Sequence, residues 1–158
     1  MHVVLVEPEI PPNTGNIART CAATHSTLHL IEPLGFSLED RYLRRAGVDC
    51  WHLVDVRRHA SWKAFLDHMA RDPADGHFHF FTSHGGRLYT EPSYQSDAVL
   101  VFGRESTGLP SEWLDRYQQH LRQIPMAQGV RSLNLSNAVA VVVFEALRQM
   151  GFPDLHPR

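Results

Sequence analysis

Cysteine is almost missing from this chain: Cys21 and Cys50 are the only two in 158 residues, and no Cys-x-x-Cys pair occurs. A disulfide framework and a structural zinc site are therefore not expected, and both thiols should be reduced, with Cys21 in the core. Lysine is scarcer still. Of 15 basic residues all but Lys63 are arginine, so any anion recognition falls to guanidinium groups. Nor is there an apolar run long enough for a bilayer, since the longest, Leu135 to Phe144, is interrupted by Ser136 and Asn137. The opening, Met1-His2-Val3-Val4-Leu5-Val6-Glu7-Pro8, lacks a basic flank and is cut by an acid and a proline, so it reads as a first strand rather than a signal peptide. No membrane contact and a cytoplasmic location are expected. Nucleotide-binding loops are absent too: no Gly-x-Gly-x-x-Gly occurs, and Gly108-Leu109-Pro110 stands where a P-loop needs Gly-Lys-Ser/Thr. Repeats and low-complexity tracts are not found.

What remains is an ordinary globular composition, 43% hydrophobic and 20% charged, with a net charge of −2 that argues against a broad basic nucleic-acid face. A chain of this length buries about two thirds of its unfolded surface, enough for one core, so residues 1–158 are expected to form one domain. Short β-rich runs recur at Val3–Val6, Leu28–Ile31, Leu53–Val56, Phe78–Thr82 and Val99–Phe102, with a shorter one near Gln123–Ile124. Between some of them lie helical patterns. In Ser61 to Met69, Ser61 is placed to cap while Trp62, Phe65, Leu66 and Met69 form one stripe. This alternation predicts an α/β fold, an open and mostly parallel sheet with helices on both faces. A last helix is expected from about Asn134 to Met150, ended by Gly151 and Pro153. Its centre, Ala138 to Phe144, is apolar all round, more than so small a domain can cover, so a homodimer along this helix is expected.

Prolines, glycines and small polar residues gather in three loops. The first, Pro11-Pro12-Asn13-Thr14-Gly15-Asn16-Ile17-Ala18-Arg19, follows a strand and opens a helix, the usual ligand position in such sheets. A cation in a first helical turn opposes the macrodipole, so Arg19 calls for an anion; a salt bridge to Glu7 or Glu9, with Asn13 as N-cap, is the plain alternative. The second, Gly103-Arg104-Glu105-Ser106-Thr107-Gly108-Leu109-Pro110, has a glycine that admits a ligand close to the backbone, and Glu105 either caps a helix near Ser111 or positions a substrate hydroxyl. In the third, Ile124 to Ala138, the side chains Ser132, Asn134, Ser136 and Asn137 exceed what capping needs, which suggests a pocket for a neutral or weakly charged ligand. Arg41, Arg44, Arg45, Arg57 and Arg58 form a further cluster, read either as a phosphate-binding face or as solvated surface.

Together the loops resemble the SPOUT class of RNA methyltransferases, specifically its TrmL-like members. The resemblance rests on Asn13-x-Gly15-Asn16-x-x-Arg19, on Gly103-x-Glu105-x-x-Gly108-Leu109-Pro110, and on Ile124-Pro125-Met126 through Ser132-Leu133-Asn134-Leu135-Ser136-Asn137-Ala138; Leu43-Arg44-Arg45-Ala46-Gly47 also looks like this subfamily. It implies a C-terminal trefoil knot, an obligate homodimer, and S-adenosyl-L-methionine as methyl donor for the ribose 2′-hydroxyl of a tRNA wobble nucleotide, cytidine or modified uridine, with leucine tRNA as the expected substrate. By the same resemblance Phe81, Gly103, Ile124 and Ser132 contact the cofactor, Asn13, Arg19, Glu105, Ser132 and Asn134 are catalytic, and no metal is needed. Two other readings compete with it. One is an RNA-binding module of the same fold without catalysis; the other is a metal-dependent hydrolase using His77, His79 and His84 among the 11 histidines.

Overall fold

Alternating β-branched and aromatic runs become seven strands of a single sheet in the computed structural model, which describes residues 1–39, 41 and 50–156. The strands are β1 (His2–Val6), β2 (Thr27–Ile31), β3 (Val56–His59), β4 (Phe78–Phe81), β5 (Arg87–Leu88), β6 (Val99–Phe102) and β7 (Leu121–Gln123). The helices are α1 (Pro11–Ala23), α2 (Trp62–Met69), α3 (Ser111–Arg116) and α4 (Leu135–Gln149). The strand order is β3-β2-β1-β6-β4-β7-β5, and every pair is parallel, beyond the mostly parallel sheet expected.

Side-chain alternation sends each strand's residues to two cores. On one face Val3, Leu5, Leu28, Leu30, Leu100 and Phe102 meet Ile17, Ala18 and Cys21 of α1 and Val139, Val142, Val143 and Ala146 of α4. On the other, Val4, Val6, Phe78, Phe80, Val99 and Val101 meet Phe65 of α2 with Trp113 and Tyr117 around α3. Phe80 and Tyr117 stack there at 4.3 Å and 5°, an aromatic pair that contributes about 0.5–1.5 kcal/mol beyond its buried area. Ser61 caps α2 as expected, accepting from Ala64 N at 3.1 Å. Cys21 is fully buried, and burial pushes its thiol up to about 12.

Two expectations change. The run Leu53–Val56 is not a strand: Trp51–Leu53 forms a 3-10 turn, and β3 begins at Val56 and continues through exposed Arg57 and Arg58, because an edge strand needs a buried partner on one side only. Helix α1 starts at Pro11, not after the loop, since a proline in the first turn sacrifices no intrahelical bond. The apolar centre of α4, as expected of so small a domain, is not covered within the chain: Val141 and Phe144 remain 38% and 47% exposed. The segment Leu43 to Gly47, with Arg44 and Arg45, lies outside the described residues.

Candidate active site

The chain leaves β1 toward β2 on one side of the sheet and leaves β6 toward β7 on the other, so the strand order reverses between neighbouring β1 and β6. In an open parallel sheet the crevice at the carboxyl ends of such strands is where ligands bind. Two of the three polar loops open there, and the third is tied to them.

Glu105, half-buried in the loop after β6, joins the loops that follow β1 and β6. Its carboxylate accepts from Glu9 N at 2.8 Å, Ile10 N at 3.2 Å and Asn13 Nδ2 at 3.2 Å. Asn13, buried at 5% exposure in the first turn of α1, in turn accepts at Oδ1 from Asn134 Nδ2 at 2.9 Å. Asn134 caps α4, accepting at Oδ1 from Ser136 N at 2.9 Å and Ser136 Oγ at 2.7 Å. The chain has one possible direction. A backbone N–H at Ser136 is only a donor, which fixes the Asn134 amide, which fixes Asn13, which leaves a donor aimed at residue 105. Only a group that accepts at every position completes it, and a carboxylate does.

Neighbouring contacts clamp the same crevice. Glu9 accepts from Ser106 N and Ser106 Oγ, both at 2.9 Å, and Arg104 pairs with Glu7. Glu7, the residue after β1, has φ 50, an uncommon conformation for a side chain-bearing residue and one that turns the chain out of the sheet. Gly103 has a tighter requirement than the ligand approach expected of it. Residues 104 and 108 pair as a two-residue bridge, and a Cβ at 103 would lie 2.1 Å from the Gly108 carbonyl carbon, so loop closure itself requires glycine. Glu105 does not cap α3, whose N-cap is Pro110 without a side-chain bond.

The structure therefore brings together Asn13, Glu105 and Asn134, and sets others apart. Arg19 is exposed on the third turn of α1, about 9 Å along the axis from Asn13 and about 240° around it, which removes the first-turn argument for a bound anion. The plain alternative also changes, because Glu7 pairs with Arg104, Glu9 with Ser106, and the N-cap is Ile10 rather than Asn13. Phe81 is 9% exposed with its ring stacked on Phe102 at 4.7 Å and 12°, so its side chain belongs to the core. Ile124 packs half-buried on the α4 core, and Ser132 is exposed. Among the described residues no group of three or more His, Cys, Asp or Glu side chains is placed to hold a metal. His77 bonds Asp97 at 3.0 Å, His79 is buried against Tyr94, and His84 is exposed beyond β4, so the hydrolase reading has no converging ligand set. Burial and then nearby Arg122 hold His79 down to about 4.

Sequence reasoning missed Glu9 and Ser106 as parts of the clamp. Nothing local to either residue signals a contact across 97 positions.

An all-parallel sheet whose polar loops interlock at the reversal of strand order defines a ligand-binding α/β protein with a multi-loop site. The chain belongs to the SpoU rRNA Methylase family, whose profile matches residues 1–144. It is 50% identical over 152 residues, 96% of each chain, to the tRNA (cytidine(34)-2'-O)-methyltransferase of Burkholderia ambifaria. A solved structure described as giving insights into the 2-OH methylation of C/U34 on tRNA superposes with a TM-score of 0.87 at 46% identity, covering 95% of both chains. The SpoU methyltransferase AviRb from Streptomyces viridochromogenes, in complex with AdoMet, superposes at 0.80 and 26% identity, covering 95% of this chain and 60% of that one.

Proposed function

We propose that this protein transfers a methyl group from S-adenosyl-L-methionine to the ribose 2′-hydroxyl of the wobble nucleotide of tRNA, a cytidine or modified uridine, with leucine tRNA as its substrate. Family membership and the names of its relatives support this reading, and the observation that carries it is the directed chain Ser136–Asn134–Asn13–Glu105, which joins all three motif loops.

The residues present fit the donor. Loops after β4, β6 and β7 leave adjacent strands, and between residues 125 and 133 the described backbone makes one internal bond, Val130 N to Ala127 O at 3.2 Å. Free amide and carbonyl groups beside half-buried Ile124 suit an uncharged nucleoside, which the backbone at Phe81, Gly103 and Ile124 and the hydroxyl of Ser132 would hold. When bound, S-adenosyl-L-methionine supplies a methyl group already activated as a sulfonium. The protein's share is alignment and proton management. Glu105, Asn13 and Asn134 fix the relative position of the loops, and Arg19 is an electrostatic aid that lowers the pKa of the hydroxyl. A guanidinium with a pKa above about 12 is a poor base but a strong stabiliser of developing negative charge.

The working unit in this reading is a cytoplasmic homodimer of single-domain chains, each with a C-terminal trefoil knot. Exposed Val141 and Phe144 on α4, next to α1 in the same core, support the dimer face. No helix among the described residues is long and apolar enough to cross a membrane. The test is incubation with labelled methyl donor and a leucine tRNA transcript, followed by mapping of 2′-O-methyl groups. Label at the wobble ribose is expected; tRNA binding without transfer overturns the enzyme in favour of a non-catalytic RNA-binding module.

A further inference from the structure

The carboxyl edge of the sheet holds a second opening that the polar chain does not use. It is a cavity of about 490 Å³ where β2 and β3 end, walled by Leu34, Phe36 and Leu38 and edged by Glu32, Glu39 and Arg58. That volume lies in the range of small-molecule sites and accommodates a nucleobase with its ribose.

Its charges decide what it can take. Among the described lining residues Arg58 is paired with Glu32 and Glu39 is a further carboxylate, so a phosphate seated against them would meet an acceptor and compete with an existing ion pair. Half-buried Phe36 offers an aromatic ring beside Leu34 and Leu38, which pack on the core, and the carboxylates offer only acceptors. Carboxylates read the exocyclic amino groups of bases, as in their contact with the N4 amine of cytosine.

The cavity is also mechanically joined to the active-site clamp. Gly35, between its wall residues, donates to Pro8 O at 2.9 Å, and a Cβ there would lie 2.8 Å from the Glu9 Cα. Glu9 is the residue whose amide bonds Glu105 and whose carboxylate holds Ser106. Between the ends of β2 and β6 lies one strand, β1, so the cavity and the Glu105 loop are about 10 Å apart. Neighbouring nucleotides of one RNA strand span such a distance.

We propose that this cavity seats an unpaired base close to the methylated nucleotide, stacked on Phe36, and selects one that carries an exocyclic amine through Glu39 and Glu32. The proposal deepens the RNA methyltransferase reading and rests on it. Two variants, Phe36→Ala and exposed Glu39→Gln, are compared with wild type for S-adenosylhomocysteine binding and for KM and kcat on a tRNA transcript. Wild type is also tested on transcripts whose anticodon-loop adenines or cytosines are replaced singly by hypoxanthine or uracil. Phe36→Ala should raise the KM for tRNA at least tenfold, with kcat and cofactor binding within twofold. One deaminated transcript should lose a similar factor with wild type and show no further loss with Glu39→Gln. A KM within twofold of wild type for both variants, or equal use of every deaminated transcript, overturns the proposal while wild-type transfer stands. A wild type that transfers no methyl group overturns the parent reading and this proposal with it.

Discussion

Replacing Glu105 tests the directed hydrogen-bond chain at its terminus. In Glu105→Ala the Glu9 and Ile10 amides and the Asn13 Nδ2 lose their acceptor. Hydrogen bonds to a charged group contribute about 1.5–3 kcal/mol each; with the solvent-exposed Ile10 bond discounted and the other two taken at the lower end, the loss is about 3 kcal/mol. Glu105→Gln is the sharper variant, because it keeps size and shape. Whichever way its amide turns, one NH₂ faces a donor, either the fixed Glu9 N–H or the Asn13 amide, and Asn13 cannot turn without facing Asn134. The cost is then about 2 kcal/mol, for a half-satisfied polar group at a partly buried site. In urea, with a slope of about 2 kcal/mol/M, the midpoints should fall by about 1.5 M and about 1 M with the slope unchanged. Asp115→Asn, on the exposed side of α3, serves as a control for loss of a carboxylate. Glu105→Gln unfolding within about 0.5 kcal/mol of wild type, like that control, would refute the fixed direction of the chain.

Arg19→Ala should bind S-adenosylhomocysteine within twofold of wild type while methyl transfer falls by about 10²–10³ or more, the usual effect of removing a transition-state donor; calorimetry and a single-turnover assay read the two separately, and retained turnover removes Arg19 from the mechanism. Gly103→Ala forces a Cβ to within 2.1 Å of the Gly108 carbonyl carbon, so the loop must open, costing about 1–3 kcal/mol in urea unfolding and displacing Glu105; wild-type stability with wild-type transfer would show that the loop closes differently. Phe144→Asp should convert a dimer to monomers in sedimentation equilibrium, and an unchanged dimer would place the interface elsewhere. Acid should destabilise the fold before carboxylates titrate. Burial, reinforced by neighbouring histidines and Arg57, holds His29 down to about 3, while burial with the N-terminal amine and arginines holds His2 to about 4. These folded values lie below the ordinary 6.5, so between 6.5 and 4 the unfolded chain binds protons that the native chain does not, and stability falls as pH drops through that window. Lowered carboxylates such as Asp97 and Asp55 act only below about 4, so equal urea midpoints at pH 7.5 and 5 refute the assignment.

Much of the fold was legible because burial on both faces leaves a strong mark. Val99–Phe102 is apolar at every position and buried at every position, so its bounds follow from composition alone. Legibility fails at the sheet's edges. β3 carries Arg57 and Arg58, and β5 is the dipeptide Arg87–Leu88, exposed at both positions and paired in the sheet with β7 alone; neither has a hydrophobic pattern because neither has two neighbours to be buried between. The three motif loops were visible as clusters of Gly, Pro, Asn and Ser, yet their joining was not. Asn13 and Glu105 are 92 positions apart, Asn13 and Asn134 are 121 apart, and which loops meet depends on strand order, which local pattern does not encode.

Arg19 is assigned to catalysis by the family resemblance alone, since the helix dipole no longer singles it out. Its expected tension with the helix dipole vanishes once α1 begins at Pro11, because the dipole's influence fades beyond the first turn and Arg19 lies on the third. Its placement there needs no anion to offset it, so the electrostatic case for a bound phosphate is gone. What stands is its geometry: Arg19 shares an exposed stripe of α1 with Asn16 and Ala23, away from the Asn13–Glu105 contact within the same chain. A guanidinium acting on the hydroxyl must therefore meet the substrate where the RNA, or a second subunit packed on α4, carries the site to it. The two routes separate by mixing. Heterodimers of Arg19→Ala and Glu105→Ala chains regain one working site of the two if the residues act across the interface, and none if each subunit is self-contained, because each chain then lacks one of the pair. Cofactor binding without any transfer excludes action across the interface and leaves the RNA to bridge Arg19 and the Glu105 crevice of one chain.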